Sequence, residues 1–447
     1  MYLFLLAYLP PAIAAAADVL RHKRTPVVAT AWLLAIVLIP IGGSLFYLLA
    51  GYRKPVRGTA PTDSRPPAGI ERLLWNGCAT RIRHRNRVAQ LHDGGEAFAA
   101  LICALQGARR YIHLSYYIFA DDRIGRAIAD ILVRKARAGV EVRLLYDAVG
   151  SWNLSQRFVR RLRQAGIDVR VCAPLRFPWF TPRANRRNHS KIAVIDGRTG
   201  FVGGINIAER YLDGNALGRW RDEHLRIEGE AVADLQRLFA ADWALEGGGA
   251  LPELRYAAAT ACDLPCSPLQ IAWTREDRSR TTLADLFAQL IEEARHTLRI
   301  SSPYFLPPPA LCDALLRAVR RGCRVKVMLP ARSDVWLARR ATDAYLDELL
   351  DAGVEFFRFR GGFLHAKRLI ADERAASVGT ANFDYRSLEC NTEATALLLD
   401  PTTIEQAIRR FDEDLASCTP VDREAWRRRS AGDRLGDRLA RLFAPLL

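Results

Sequence analysis

Lysine is scarce in this chain. Lys23, Lys54, Lys135, Lys191, Lys326 and Lys367 are the only six among 65 basic residues. Where arginine is otherwise the chosen cation, a lysine suggests that a compact point charge is required. Zinc-type spacing is also missing. Cys78, Cys103, Cys172, Cys262, Cys266, Cys312, Cys323, Cys390 and Cys418 are scattered and odd in number, and no second pair completes a site with Cys262 and Cys266. That pattern speaks against a disulfide scaffold or a structural zinc and for free thiols in a reducing compartment. The extreme N-terminus has no basic n-region, which argues against a cleaved signal peptide. What is present is a 447-residue chain, half hydrophobic, with a net charge of +16. Its length suits two folded domains plus an appendage, and its charge favours anionic partners: nucleic acid, phosphate esters or an acidic membrane face.

The first fifty residues are the appendage. Tyr2–Leu20 is apolar apart from Asp18, with Pro10 and Pro11 in its middle, and Arg21, His22, Lys23 and Arg24 follow. The run from Pro26 to Gly51 carries no charge and is long enough for a transmembrane helix. Residues 1–55 are thus expected to form a membrane anchor of one or two apolar helices, and 56–69 a Pro/Gly-rich linker. Beyond it, strand-like and helical patterns alternate. Arg110–Tyr117, Val140–Tyr146 and Ile167–Val171 read as strands, separated by helices over Ile124–Ala138 and Leu154–Ala165. The order returns with strands at Thr297–Ser301, Val325–Leu329 and Val354–Phe359. Two passes of one pattern predict an internal duplication: one unit over 70–250 and a second over 265–447, each a largely parallel α/β layer. A break from Gly247 to about Pro268 joins them.

Each pass carries the same short constellation. Asn188-His189-Ser190-Lys191 leads to Asp196, and His365-Ala366-Lys367 leads to Asp372: H-x-K-x4-D twice. Asn206 and Asn382 each stand seventeen residues after their histidine. Asp222 and Glu393 supply an acid further on. On a strand, H-x-K directs imidazole and ammonium to one face. The imidazole can then attack phosphorus while the ammonium sits beside the phosphate oxygens. The asparagines are expected to add hydrogen bonds to those oxygens, and the distant acids to hold the imidazole Nδ1–H. Asp196 and Asp372 complete the catalytic motif, with the role of anchoring the local turn or supporting a partner side chain. One H-x-K is a weak signal; its recurrence with matched Asn and acid positions is a strong one.

The paired motifs resemble the phospholipase D superfamily. The surrounding text, including Tyr116-Tyr117-Ile118-Phe119, Trp220-Arg221-Asp222, Pro303-Tyr304-Phe305 and Gly379-Thr380-Ala381-Asn382-Phe383-Asp384, resembles bacterial cardiolipin synthases over essentially the whole chain. Gly204 departs from the pattern, since serine or threonine is common there. The resemblance implies two tandem α/β/α repeats packed as a pseudo-dimer. It also implies phosphatidyl transfer between two phosphatidylglycerol molecules through a phosphatidyl-histidine, with His189 as nucleophile and His365 as acid/base. No metal or cofactor is called for in that scheme. The expected partners are an anionic phospholipid and the membrane, not nucleic acid, and the expected setting is the bacterial inner membrane with the catalytic part cytoplasmic. A hydrolytic phospholipase D, a phosphatidylserine synthase and a nuclease are the competing enzymes; an inactive membrane adaptor is the non-enzymatic one. Two further features stay open between packing on the protein body and contact with lipid. One is the aromatic run Phe177–Phe180 with Arg183, Arg186 and Arg187; the other is the basic, amphipathic stretch Trp426–Leu447.

Overall fold

The computed structural model describes residues 2–21, 26–39, 41–47, 69–174, 186–251, 265–275, 279 and 281–447. Residues 56–68 of the linker expected at 56–69 and the aromatic run Phe177–Phe180 lie outside the described residues, as does most of the break between the two units.

Fifteen strands hydrogen-bond into one sheet whose order runs as a near-palindrome. In the first unit Tyr111–Tyr116, Glu141–Asp147 and Asp168–Cys172 are parallel neighbours. In the second, Thr297–Ser301, Arg324–Pro330 and Glu355–Phe359 repeat the arrangement. The alternation of apolar residues that marks these strands also buries them: every residue of Tyr111–Tyr116 is inside. The amphipathic helices Arg123–Arg137 and Pro309–Arg320 return the chain between parallel neighbours, as a parallel crossover requires.

The sheet is mixed, and the expectation of a largely parallel layer is corrected. Lys191–Ile195 runs antiparallel to both Tyr111–Tyr116 and Thr199–Gly203. Arg368–Ala371 does the same against Thr297–Ser301 and Ala375–Gly379. The physical reason is the turn after each motif. Asp196 and Asp372 adopt left-handed φ values of 54° and 51°, and the chain reverses at once, leaving no room for a crossover helix. The long strand Arg83–Leu91 joins the halves, pairing with His224–Gly229 on one side and with Cys266–Thr274 on the other. One core, with Ile192, Val202, Leu225, Ile271, Val378 and Ala396, draws on both units. The helix Gly69–Cys78 falls next to the first unit in sequence, yet Leu74 packs with Leu283 and Phe287 of the second.

The N-terminal segment differs from the expected anchor. The run Pro26–Gly51 is not one helix. Among the described residues it forms Pro26–Leu38 and Gly42–Phe46; the sequence between them includes a proline, a residue type that lacks an N–H and disfavours helix in the residue before it. No helix among the described residues is long and apolar enough to cross a membrane. Thirteen residues span only about 20 Å, short of the roughly 30 Å hydrocarbon layer. Tyr2–Arg21 folds back along these pieces: the Tyr8 hydroxyl donates to Ile36 O at 2.7 Å, and the Tyr47 hydroxyl donates to Asp18.

Candidate active site

The two histidines enter the site from equivalent places. His189 lies two residues before the start of Lys191–Ile195, and His365 three before the start of Arg368–Ala371. Both motifs therefore sit at strand entrances and not within strands. Each histidine is fastened to the opposite unit through its backbone. His189 N donates to Thr392 O at 2.9 Å, and His365 N donates to Arg221 O at 2.7 Å. Thr392 and Arg221 are the residues immediately before the two distant acids. The backbone pairing thus delivers each acid to the histidine of the other unit.

The side chains complete the exchange. His189 Nδ1 lies 2.9 and 3.1 Å from the Glu393 carboxylate oxygens. His365 Nδ1 lies 2.6 Å from Asp222 Oδ2. A carboxylate at that distance favours a proton on Nδ1, so Nε2 carries the lone pair in the neutral ring and the transferable proton in the imidazolium; Lys367 Nζ also lies 2.7 Å from His365 Nδ1. The imidazoles keep a narrow opening to solvent, with side-chain exposures of 13% for His189 and 9% for His365. A cavity of about 40 Å³ is lined by Asn188 and Thr392, the neighbours of His189 and Glu393, but by neither imidazole. Aromatic rings frame both. Tyr117 meets His189 edge-on at 4.7 Å, and Trp220 and Tyr211 stand 5.0 and 5.9 Å from His365.

Electrostatics tie the two histidines into one site. Burial is the largest influence on both and pushes His189 well below its ordinary range and His365 down to about 4. Lys191 and Lys367 both act on His189, and Asp222 opposes them. So groups that flank His365 are felt at His189. Burial lowers both lysines, Lys191 to about 7. The acids differ. Burial pushes Glu393 up to about 7 against the pull of Lys191. Burial would also raise Asp222, but Lys367 and His365 outweigh it and hold it below the usual carboxylate range.

The remaining expected residues fall into place unevenly. Lys191 Nζ donates to the carbonyl of its own His189 at 2.5 Å, and Lys367 Nζ folds onto the His365 carbonyl and lies 3.6 Å from Asp222. Both ammoniums thus curl back over their histidines, beside the acids. Asn206 accepts from Ile118 N at 3.0 Å and donates to the Tyr211 hydroxyl at 2.6 Å, leaving one of its two amide N–H groups. Asn382 is buried beside Asp384. Asp196 and Asp372 stand apart from the imidazoles. Asp196 accepts from the backbone N–H of Arg109, Arg110 and Tyr111, and Asp372 from those of Arg295, His296 and Thr297. Of the two roles considered for them, these backbone contacts match the anchoring of the local turn.

Other findings were not legible in the residue pattern. The absent hydroxyl at Gly204 has a steric cause: a Cβ there would meet Asp222 Oδ1 at 2.0 Å. In the second unit Thr380 occupies the matching position and donates its hydroxyl to Glu393. Arg187 is not a lipid-facing cation. It is buried, donating to Asp147 at 3.0 and 2.7 Å, and Asp147 also accepts from Asn188 N at 3.1 Å, so the pair fixes the approach to His189. The exchange of acids, and the roles of Tyr117, Tyr211 and Trp220, needed the folded chain.

The comparisons agree with this architecture. The family described as cardiolipin synthase, phospholipase D-like domain, matches residues 101–243 and 287–415. A phospholipase D-nuclease N-terminal family matches residues 11–51. The probable cardiolipin synthase YwiE of Bacillus subtilis is 33% identical over 467 residues, covering 99% of this chain and 93% of that one. A cardiolipin synthase of Geobacillus kaustophilus is 36% identical over 452 residues, covering 95% and 90%. Among solved structures, the phosphatidylserine synthase of Haemophilus influenzae aligns with a TM-score of 0.63 at 16% identity, covering 84% of this chain and 97% of that one. At that identity the likeness shows the fold alone.

Proposed function

Because this chain belongs to the cardiolipin synthases, phosphatidyltransferases built on phospholipase D-like domains, we propose that it transfers a phosphatidyl group between two phosphatidylglycerol molecules at the paired histidines. One observation carries the reading: each imidazole takes its orienting carboxylate from the other unit, so the two serve one phosphorus. Nε2 of His189 attacks the phosphorus of the first phosphatidylglycerol, and the bond to its terminal glycerol breaks. His365, entering the step as the imidazolium that the ionised Asp222 and the incoming phosphate anion favour, gives that glycerol oxygen its Nε2 proton. Glycerol leaves and a phosphatidyl-histidine remains. His365, now neutral, takes the proton from a hydroxyl of a second phosphatidylglycerol. That oxygen attacks phosphorus, His189 is released, and cardiolipin forms.

The assignment of roles rests on the acids. A general acid benefits from a fully ionised partner that stabilises its imidazolium. Asp222, held low by Lys367 and His365, is such a partner for His365. Glu393, raised by burial, is a weaker one and suits a histidine that works as a neutral nucleophile. Lys191 and Lys367, with the remaining amide hydrogens of Asn206 and Asn382, are assigned to the phosphorane oxygens.

A lipid setting accompanies the reading. Leu9, Ile13, Leu34, Val37, Leu38, Ile39, Ile41, Leu45 and Phe46 are exposed on the N-terminal helices, an apolar exterior that water disfavours. A hairpin entering one leaflet of the bacterial inner membrane accounts for it, with the catalytic body on the cytoplasmic side. Purified protein given phosphatidylglycerol labelled in its headgroup tests the reaction. Cardiolipin and free glycerol in equal amounts are expected; phosphatidic acid would identify a hydrolase instead.

A further inference from the structure

Two loops flank the histidines, one from each unit, and they are built alike. In the first unit Glu141–Asp147 runs into Ala148-Val149-Gly150-Ser151-Trp152. In the second Arg324–Pro330 runs into Ala331-Arg332-Ser333-Asp334-Val335-Trp336. These two strands occupy matching places in the palindromic sheet. Each loop exposes a valine and a tryptophan, and the tryptophans are among the most exposed large apolar side chains described: Trp152 at 80% and Trp336 at 72%.

The backbones that carry them are held firmly. Ser151 Oγ donates to Tyr117 O at 3.0 Å and accepts from Phe119 N at 2.9 Å, while Leu154 is buried. Ser333 Oγ donates to Val335 O at 3.0 Å, and Asp334 accepts from the Tyr304 hydroxyl at 2.7 Å. The first loop reaches its histidine through Tyr117, whose carbonyl accepts from Ser151, and the second reaches its own through Asp334. Tyr117 packs against His189, and Asp334 acts electrostatically on His365 and Lys367. An ordered loop that turns an indole into water beside a nearly closed site gains nothing from folding. It gains if the indole meets the headgroup layer, where tryptophan is favoured. Exposed Arg157 and Arg332 follow and accompany the two tryptophans, and the chain's charge of +16 complements an anionic surface.

We propose that Trp152 and Trp336, with Val149 and Val335, form a two-point membrane-docking surface that seats the mouth of the site on an anionic bilayer. The docking is related by the internal duplication, one point per unit. It lets a lipid phosphate reach the imidazoles while its acyl chains stay in the leaflet. The inference rests on the phosphatidyl substrate read above and adds a surface to it.

The test uses the full chain with Trp152→Ala, Trp336→Ala and the double substitution. Each is assayed on phosphatidylglycerol vesicles and on monomeric short-chain phosphatidylglycerol below its micelle concentration. Docking predicts that the double variant raises KM on vesicles roughly tenfold or more, as expected for losing two partly buried indoles. Turnover of the monomeric lipid should stay within about twofold, which also shows that the variant is folded. An unchanged vesicle KM overturns the docking proposal while leaving the enzyme reading intact. A wild-type protein that makes no cardiolipin from either lipid overturns the enzyme reading itself. Light scattering of the wild type and double variant provides the last arm. If the mass falls by half in the double variant, the indoles join two copies of the chain and the bilayer proposal fails.

Discussion

At the residue scale, the acids are the discriminating positions. Asp222→Asn keeps the shape but loses the charge that holds His365 Nδ1–H. Its kcat should fall about 10⁴-fold, the loss seen when a triad carboxylate is neutralised, with the circular dichroism spectrum unchanged. The pH profile follows from Glu393 and Lys191, both moved by burial to about 7. Below neutrality Glu393 takes up a proton and releases its hold on His189. Above it Lys191 loses the charge assigned to the phosphorane. A bell-shaped kcat/KM centred near pH 7 is expected, whose two limbs belong to the pair together. Glu393→Gln should flatten the acid limb, and Lys191→Arg, which cannot lose its proton in this range, should flatten the alkaline limb. Stopped assays across pH 5–9 would reveal either limb persisting. The residue types for this chemistry were legible in the sequence because H-x-K occurs twice with matched Asn and acid positions. Which acid serves which histidine was not, because that depends on pairing between segments 204 and 143 residues apart.

At the scale of elements, the turns after the motifs carry stability and the strand entrances carry activity. Asp372 is held below its ordinary pKa by three backbone N–H donors that outweigh its burial. A depressed carboxylate adds stability above its unfolded pKa and loses it as pH falls through the folded value. Asp372→Ala should therefore cost about 2 kcal/mol at pH 7, and its Tm deficit should shrink below about pH 4. Per folded molecule, its chemical step should match the parent. Gly204→Ala should behave in the opposite way. The added methyl group displaces the Asp222 carboxylate, so kcat should drop by roughly 100-fold with a small change in Tm. Periodicity revealed the parallel strands and their helices, since these are local patterns. It missed the antiparallel return after each motif, which depends on Asp196 and Asp372 adopting left-handed backbone, a conformation that composition alone does not announce. It also ran past Leu38, where the helix ends although the apolar run continues.

At the scale of the whole molecule, the duplication makes one site from two units. Each unit alone holds a histidine without its carboxylate, so neither half has a complete active centre. Both histidines of a site come from the same chain, joined across the sheet by Arg83–Leu91 and Cys266–Thr274. Mixing full-length His189→Ala with full-length His365→Ala should therefore restore no activity above that of either alone. The central claim is that His189 carries the phosphatidyl group while His365 moves the proton. Mass spectrometry of peptides from the enzyme quenched in alkali after one turnover with phosphatidylglycerol tests it most directly. The account predicts a phosphatidyl adduct on His189 in the parent enzyme that is absent from His189→Ala. An adduct on His365, or cardiolipin made at the parental rate by His189→Ala, would contradict it.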